Sequence, residues 1–153
     1  SLFGMSLRAY LDGDWHIARG IEDRRTGIPQ SFIGAASFGS DGDASLLYRE
    51  DGALRIGDGT IRASQSHRWR FTDAHADVSF ADGRPFHRVG LDGHHAEARH
   101  DCPPDLYRVS YRFETPDCWR QEWCVSGPRK DYTLESVFTR LHSAADPVHS
   151  PRN

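Results

Sequence analysis

Three short segments of this sequence carry most of the residues that could do chemistry. They are DGRPFH from Asp82 to His87, HDCPPD from His100 to Asp105, and GPRKDY from Gly127 to Tyr132. Each segment combines turn-forming glycine or proline with several ionisable side chains, although a chain reversal needs only the former. The surplus of charged and polar groups predicts that these turns contact a ligand.

The basic side chains of these segments are suited to an anionic ligand. Arg84, Arg129 and Lys130, the only lysine of the chain, offer fixed positive charge and several hydrogen-bond donors. Carboxylate and phosphate groups match such donors well. With the imidazoles, acids and phenol beside them, the candidate ligand-binding residues are Arg84, His87, His100, Asp105, Arg129, Lys130, Asp131 and Tyr132.

The same cluster permits a binding role or a catalytic role. In a small hydrolase or isomerase, His87 or Asp105 could act as a general base, with Arg84 or Lys130 stabilising an oxyanion. Each acid could instead cap a turn, and His87 could be a hydrogen-bonded strand residue. Because the sequence contains no nucleophile elbow, phosphate loop or firm metal motif, a small-molecule-binding module is favoured over an enzyme.

The grounds for a metal or haem site are weaker. His100 and Cys102 lie two positions apart on one predicted strand face, and His87 could approach them from another strand. Imidazole and thiolate bind zinc, but this spacing matches no standard zinc motif. His142 shares a face of the last strand with Arg140 and could hold haem, although nothing else specifies it. We therefore expect no bound cofactor.

Strands must position these segments, because hydrophobic residues recur at every second position along nearly the whole chain. In LYRVSYRFE, for example, Tyr107, Val109, Tyr111 and Phe113 share one face. Only SLRAYL at positions 6–11 indicates a helical turn, which is too short to form a packing layer. About ten or eleven strands joined by tight turns predict an all-β, antiparallel up-and-down barrel, because closure removes exposed edges.

Successive turns of such a barrel alternate between its two ends. Counted along the chain, DGRP, CPPD and GPRK are the sixth, eighth and tenth turns, so all three should lie at one end. The opposite end should receive GIPQ, EDG, TDA, LDG and ETPD, which carry plain turn residues. The candidate residues should therefore cluster at one mouth of the barrel, above a lumen that aromatic faces either fill or line.

Composition limits the partners and the compartment. The chain has 153 residues and a formal net charge of −3, which does not favour nucleic acid or an anionic membrane as a partner. Its 3 cysteines form no even disulfide framework, and we find neither a long apolar run nor a signal pattern. We expect a cytoplasmic protein, with residues 1–142 as one barrel domain and 143–153 as a flexible tail.

Two features resemble known families. Gly13-Asp14-Trp15 resembles the Gly-x-Trp signature that opens lipocalin-like (calycin) barrels, in which the Trp plugs the base and a late Arg, here Arg140, packs over it. DGRPFH, HxCxPDxY and GPxKDY together resemble a small family of bacterial and fungal proteins known only as a domain of unknown function. That resemblance, from about Tyr10 to Arg140, implies a calycin-like barrel and carries no established activity.

Protein purified without added metal should contain neither stoichiometric zinc nor haem, because the histidine and cysteine spacing matches no firm ligand motif. Elemental analysis and the absorption spectrum measure both. About one zinc per chain would instead identify His87, His100 and Cys102 as ligands, and a Soret band would identify His142.

Overall fold

Ten antiparallel strands dominate the structure, a computed structural model that describes residues 1–142. The expected tail, residues 143–153, lies outside the described residues. One short helix, α1 (Leu7–Leu11), precedes the strands, which are β1 (Gly13–Asp23), β2 (Gln30–Ser40), β3 (Ser45–Ile56), β4 (Gly59–Phe71), β5 (Ala76–Phe80), β6 (Pro85–Val89), β7 (His95–Cys102), β8 (Asp105–Thr115), β9 (Cys118–Gly127) and β10 (Lys130–Leu141).

The strands form one sheet that curls into a nearly closed barrel. Its order is β6-β5-β4-β3-β2-β1-β10-β9-β8-β7. Consecutive strands therefore pair, except that β6 and β7 do not, and the first strand also pairs with the last. There β1 and β10 pair antiparallel, from Asp14 opposite Leu141 to Asp23 opposite Tyr132. The predicted antiparallel up-and-down barrel is confirmed.

The period-two pattern decides which side chains enter the lumen. On β8, Tyr111 and Phe113 are buried while Arg112 is exposed. Trp119 of β9 and Phe138 of β10 stack face to face in the lumen, with ring centroids 3.7 Å apart. A register shift of one residue would expose these rings, so burial of the aromatic face fixes the strand register.

One predicted turn is instead the middle of a strand. EDG at positions 50–52 continues β3, which pairs with β2 and β4 without a break. Gly52 lies opposite Gly34, and a Cβ on Gly52 would stand 2.3 Å from the carbonyl oxygen of Ile33 and 2.8 Å from the ring of Phe32. This glycine therefore permits close backbone approach rather than a chain reversal.

The three candidate turns share one end of the barrel despite that error. DGRP, CPPD and GPRK belong to the fifth, seventh and ninth connections between strands. This end, formed by residues 24–29, 57–58, 81–84, 103–104 and 128–129, is called the mouth below. The prediction for GIPQ was wrong, because the first connection also lies at the mouth, where Arg25 donates a hydrogen bond to the carbonyl of Pro128.

The opposite end, the base, is covered by α1 and the residues before it. Leu2, Tyr10 and Leu11 are fully buried there. The Tyr10 hydroxyl donates to the carbonyl of Thr115 at 2.7 Å, which ties this cover to the connection between β8 and β9. The predicted short N-terminal helical turn is confirmed, and its 5 residues cover the opening at the base.

Arg140 joins that cover to the barrel. Its guanidinium carbon lies 4.1 Å from the centroid of the Trp15 ring. Its N–H groups donate to the carbonyls of Tyr10 at 2.8 Å, Pro116 at 2.9 Å and Asp12 at 3.2 Å. The Arg-over-Trp contact that the Gly-x-Trp resemblance implies is therefore present.

The barrel is open along one seam. β6 and β7 are the two ends of the strand order, and within residues 1–142 no ladder of backbone hydrogen bonds joins them. Rings close the seam near the mouth: the His100 ring lies 5.3 Å from that of Phe86 and 5.8 Å from that of Phe80, centroid to centroid.

Replacing Arg140 by Ala should lower the free energy of unfolding by about 2–4 kcal/mol, because three carbonyls lose a charged donor and Trp15 loses its stacked cation. Urea denaturation measures the loss. Arg55→Ala, at an exposed position of β3, is the control and should change stability by less than about 0.5 kcal/mol. Equal effects of the two substitutions would contradict the role of Arg140 in closing the base.

Candidate functional site

A cavity of about 180 Å³ lies in the lumen on the mouth side. The aromatic faces were expected either to fill the lumen or to line a cavity, and they do both. Rings fill the base half of the lumen, and in the mouth half they line the cavity. The cavity lining is mostly aromatic and consists of Tyr48, Glu50, Gln65, His67, Trp69, Val78, Phe86, His87, Tyr107, Tyr111, Trp119, Gln121, Trp123, Val125, Tyr132 and Leu134.

Several of the predicted residues meet at the top of this cavity. Lys130 Nζ lies 3.1 Å from Asp105 Oδ2 and donates to the Tyr107 hydroxyl at 2.8 Å. These two contacts raise the pKa of Lys130 above its ordinary value. The His100 ring packs 5.8 Å from that of Tyr107, and Tyr132 lines the cavity from β10. The His100 ring also lies 5.3 Å from that of Phe86, so the mouth gathers parts of all three segments.

Other predicted residues lie on the outer rim of the mouth instead. The Arg84 side chain is 73% exposed and pairs with Asp82 at 2.7 Å. Asp131 points outward from β10 and pairs with Arg24 at 2.9 Å, and Arg129 is exposed. Exposed pairs of this kind contribute little to stability, because water and salt screen their charges. These residues can meet a ligand only at the rim.

His87 is the most deeply buried of the predicted residues, at 9% exposure. Its Nε2 lies 2.7 Å from the Tyr111 hydroxyl, whereas its Nδ1 is buried without a hydrogen-bond partner among the described residues. The rings of Phe86 and Trp123 contact it edge-on, at 4.6 and 5.1 Å between centroids. Burial lowers the pKa of His87 to about 3, helped by the charges of nearby histidines.

These properties fit a binding group better than a catalytic base. A general base works best when its pKa lies near the working pH. The pKa of His87, about 3, is far below neutrality. The carboxylate of Asp105, the other candidate base, is already paired with Lys130.

A buried ion pair in the cavity wall was missed from the sequence. Arg19 donates to both carboxylate oxygens of Glu50, at 2.7 and 3.0 Å, and to the Ser136 hydroxyl at 2.7 Å. The Tyr48 hydroxyl donates to Glu50 at 2.5 Å. Burial opposes ionisation of Glu50, but the donated hydrogen bonds, those of Arg19 foremost, hold its pKa below the ordinary value.

The signal for this pair was present in the strand pattern. Arg19 follows Trp15 and Ile17 on the inward face of β1, and Glu50 follows Tyr48 on that of β3. A charged residue in an otherwise apolar alternation indicates a buried polar contact, because an unpaired charge there would be costly.

A metal centre finds little support in the geometry. Within residues 1–142, no group of three or more His, Cys, Asp or Glu side chains is placed to hold a metal ion. The ring of Phe86 packs against the imidazoles of His67, His87 and His100, at 4.6–5.3 Å between centroids. Cys102 is an exposed free thiol.

Fold and cavity together define a β-barrel protein with a partly hollow lumen. The chain belongs to the family of unknown function DUF6314, whose model matches residues 11–140. This confirms the resemblance to a family without an established activity. No curated protein matches the chain.

Solved structures with the same fold share little sequence with this chain. The S-type phycobiliprotein lyase of Guillardia theta is 11% identical, with a TM-score of 0.67 over 92% of this chain and 95% of the lyase. A DUF3598-family protein of unknown function from Nostoc punctiforme is 10% identical, with a TM-score of 0.64 over 90% of this chain and 50% of its own. A protein of M. tuberculosis is 15% identical, with a TM-score of 0.62 over 90% and 99%. Likeness at this level of identity shows the fold alone.

The stability of the protein should fall as the pH is lowered from about 6.5 to about 3, the ordinary and the folded pKa of His87. In that range the unfolded chain binds a proton at His87 and the folded chain does not, so each pH unit costs up to about 1.4 kcal/mol. His87→Gln should reduce this slope in urea denaturation measured at several pH values. His94→Gln, at an exposed histidine, should leave the slope unchanged, and equal slopes for wild type and His87→Gln would refute the assignment.

Proposed function

We propose that this protein binds a small molecule in the luminal cavity, and that the ligand enters through the mouth. The observation that carries the proposal is about 180 Å³ of unfilled space inside a lumen whose base half is tightly packed with rings. Protein interiors are close-packed, and unfilled space costs stability. A cavity confined to the end where the polar segments meet is best explained as a ligand site.

The size and lining of the cavity indicate the shape of the ligand. An apolar cavity of about 150 Å³ can hold benzene, so about 180 Å³ suits one aromatic ring with a small substituent. Trp69, Trp119 and Trp123 supply flat surfaces for stacking, and Gln65 and Gln121 add polar groups. The part of the ligand inside the cavity is therefore planar and amphipathic.

We propose that any anionic group of the ligand lies at the rim, and the charges of the site support this. Inside, Glu50 is neutralised by Arg19, and at the top of the cavity Lys130 is neutralised by Asp105. The exposed Arg84 and Arg129 can contact a carboxylate or phosphate that stays outside the cavity. An amphipathic ligand with an acidic tail fits both regions.

Binding is favoured over the hydrolase or isomerase alternative because neither His87 nor Asp105 is poised as a base. The partner we propose is thus a small molecule, without a role for nucleic acid or membranes. No helix of residues 1–142 is long and apolar enough to cross a membrane. Cys102, Cys118 and Cys124 are free thiols, which supports a reducing, cytoplasmic setting.

Native mass spectrometry of freshly purified protein tests the proposal directly. A bound small molecule that is released on denaturation would support it and would name the ligand class. Ligand-observed NMR with toluene as a probe covers the case in which the natural ligand is lost during purification, since toluene matches the size of the cavity.

Leu134→Phe should weaken toluene binding at least tenfold, on the order of 1.4 kcal/mol, because the added ring enters the cavity that Leu134 lines. Glu135→Phe is the matched control, since it places the same ring on the exposed outer face of β10, and it should bind toluene like the wild type. No toluene binding to the wild type, or equal binding by the two variants, would contradict the proposed site.

A further inference from the structure

We infer that the cavity selects aromatic ligands that carry a hydrogen-bond acceptor, such as a carbonyl or ether oxygen; this rests on the proposed function. Across residues 1–142, two buried side-chain polar atoms lack a hydrogen-bond partner, His87 Nδ1 and Trp119 Nε1. Both residues line the cavity, and they are only 9% and 1% exposed. Buried polar groups are normally paired, so two unpaired ones on residues that line one cavity point to a ligand.

Trp119 can only donate, because the indole nitrogen carries a hydrogen and has no acceptor lone pair. Its ring is held in place by parallel stacking on Phe138, with 3.7 Å between centroids, and by edge contact with Trp15 at 6.0 Å. The ring cannot turn toward another partner without breaking these contacts. Its N–H is therefore fixed, and it has no hydrogen-bond partner among the described residues.

His87 also presents a donor. Burial keeps the imidazole neutral, so one nitrogen carries a hydrogen and the other accepts. Burial also raises the pKa of Tyr111, whose hydroxyl keeps its proton and lies 2.7 Å from Nε2. A phenol is a strong donor and a neutral imidazole a good acceptor, so we assign the hydroxyl as donor to Nε2. Nδ1 then bears the hydrogen and is without a hydrogen-bond partner among the described residues.

The cavity does not satisfy these donors from its own acidic group. Glu50 is the carboxylate among the described lining residues, and it already accepts hydrogen bonds from Arg19 and Tyr48. An acceptor brought by the ligand would pair with a donor that otherwise stays unpaired. A ligand lacking the acceptor would leave that donor buried, and so would bind more weakly.

Acetophenone and α-methylstyrene test the inference because they have nearly the same shape. Acetophenone carries a carbonyl oxygen, a hydrogen-bond acceptor, where α-methylstyrene carries a methylene group. Isothermal titration calorimetry with the full chain should show acetophenone binding about tenfold more tightly, as expected for one hydrogen bond to an unpaired donor. His87→Phe keeps a ring of similar size and should reduce this preference. His94→Phe is the control, since it makes the same substitution at an exposed histidine outside the cavity lining, and it should retain the preference.

The possible outcomes separate the two proposals. Equal affinity of the wild type for both probes would overturn the acceptor inference and leave the proposed function standing, whereas no binding of either probe would overturn both. An undiminished preference in His87→Phe would overturn the role of His87.

A measurement on the wild type alone avoids dependence on the folding of a variant. Nitrogen-15 NMR should find the His87 hydrogen on Nδ1, and acetophenone, unlike α-methylstyrene, should shift the indole N–H resonance of Trp119. A hydrogen on Nε2 together with an unmoved indole resonance would overturn the inference.

Discussion

The contact of Arg140 with Trp15 is the interaction on which the hollow half of the barrel depends. It lies where the first and last strands pair, and it fastens the N-terminal cover to the base through the carbonyl of Tyr10. The base is covered and its half of the lumen is filled with rings, whereas the cavity among the described residues lies toward the mouth. In the proposed function the ligand therefore enters through the mouth, past the three polar segments.

The ion pair of Arg19 and Glu50 gives that space a polar wall without giving it a net charge. Such a pair adds little net stability, but removing one partner would leave a buried charge. Its hydrogen-bonding groups are satisfied within the protein by Tyr48 and Ser136. The polar recognition that we propose for the cavity consequently falls to the groups without a partner, on His87 and Trp119.

The barrel was predictable because alternation and turn chemistry are local signals that agree along the chain. The EDG turn was misread because the pattern alone does not distinguish a reversal from the close approach of Gly52 to Gly34. The misread turn comes before all three candidate turns, so it changes the count of each by one. The prediction that they share one end is therefore unaffected. It was harder to predict which side chains at the mouth point into the cavity, since adjacent residues such as Asp131 and Tyr132 face opposite sides of β10. The cover over the base was missed because helix propensity does not reveal an opening elsewhere in the fold.

The three segments contribute to the site through their strands more than through their turns. DGRPFH brings Phe86 and His87 into the cavity from β6, and GPRKDY brings Tyr132 from β10, whereas the turn residues Arg84 and Arg129 remain exposed. Residues on strands are held by ladder hydrogen bonds and by packing on both sides, so their positions are more rigid than those of turn residues. Discrimination between ligands should therefore arise inside the cavity, and in the proposed function the charged rim attracts the ligand and positions its exposed acidic tail.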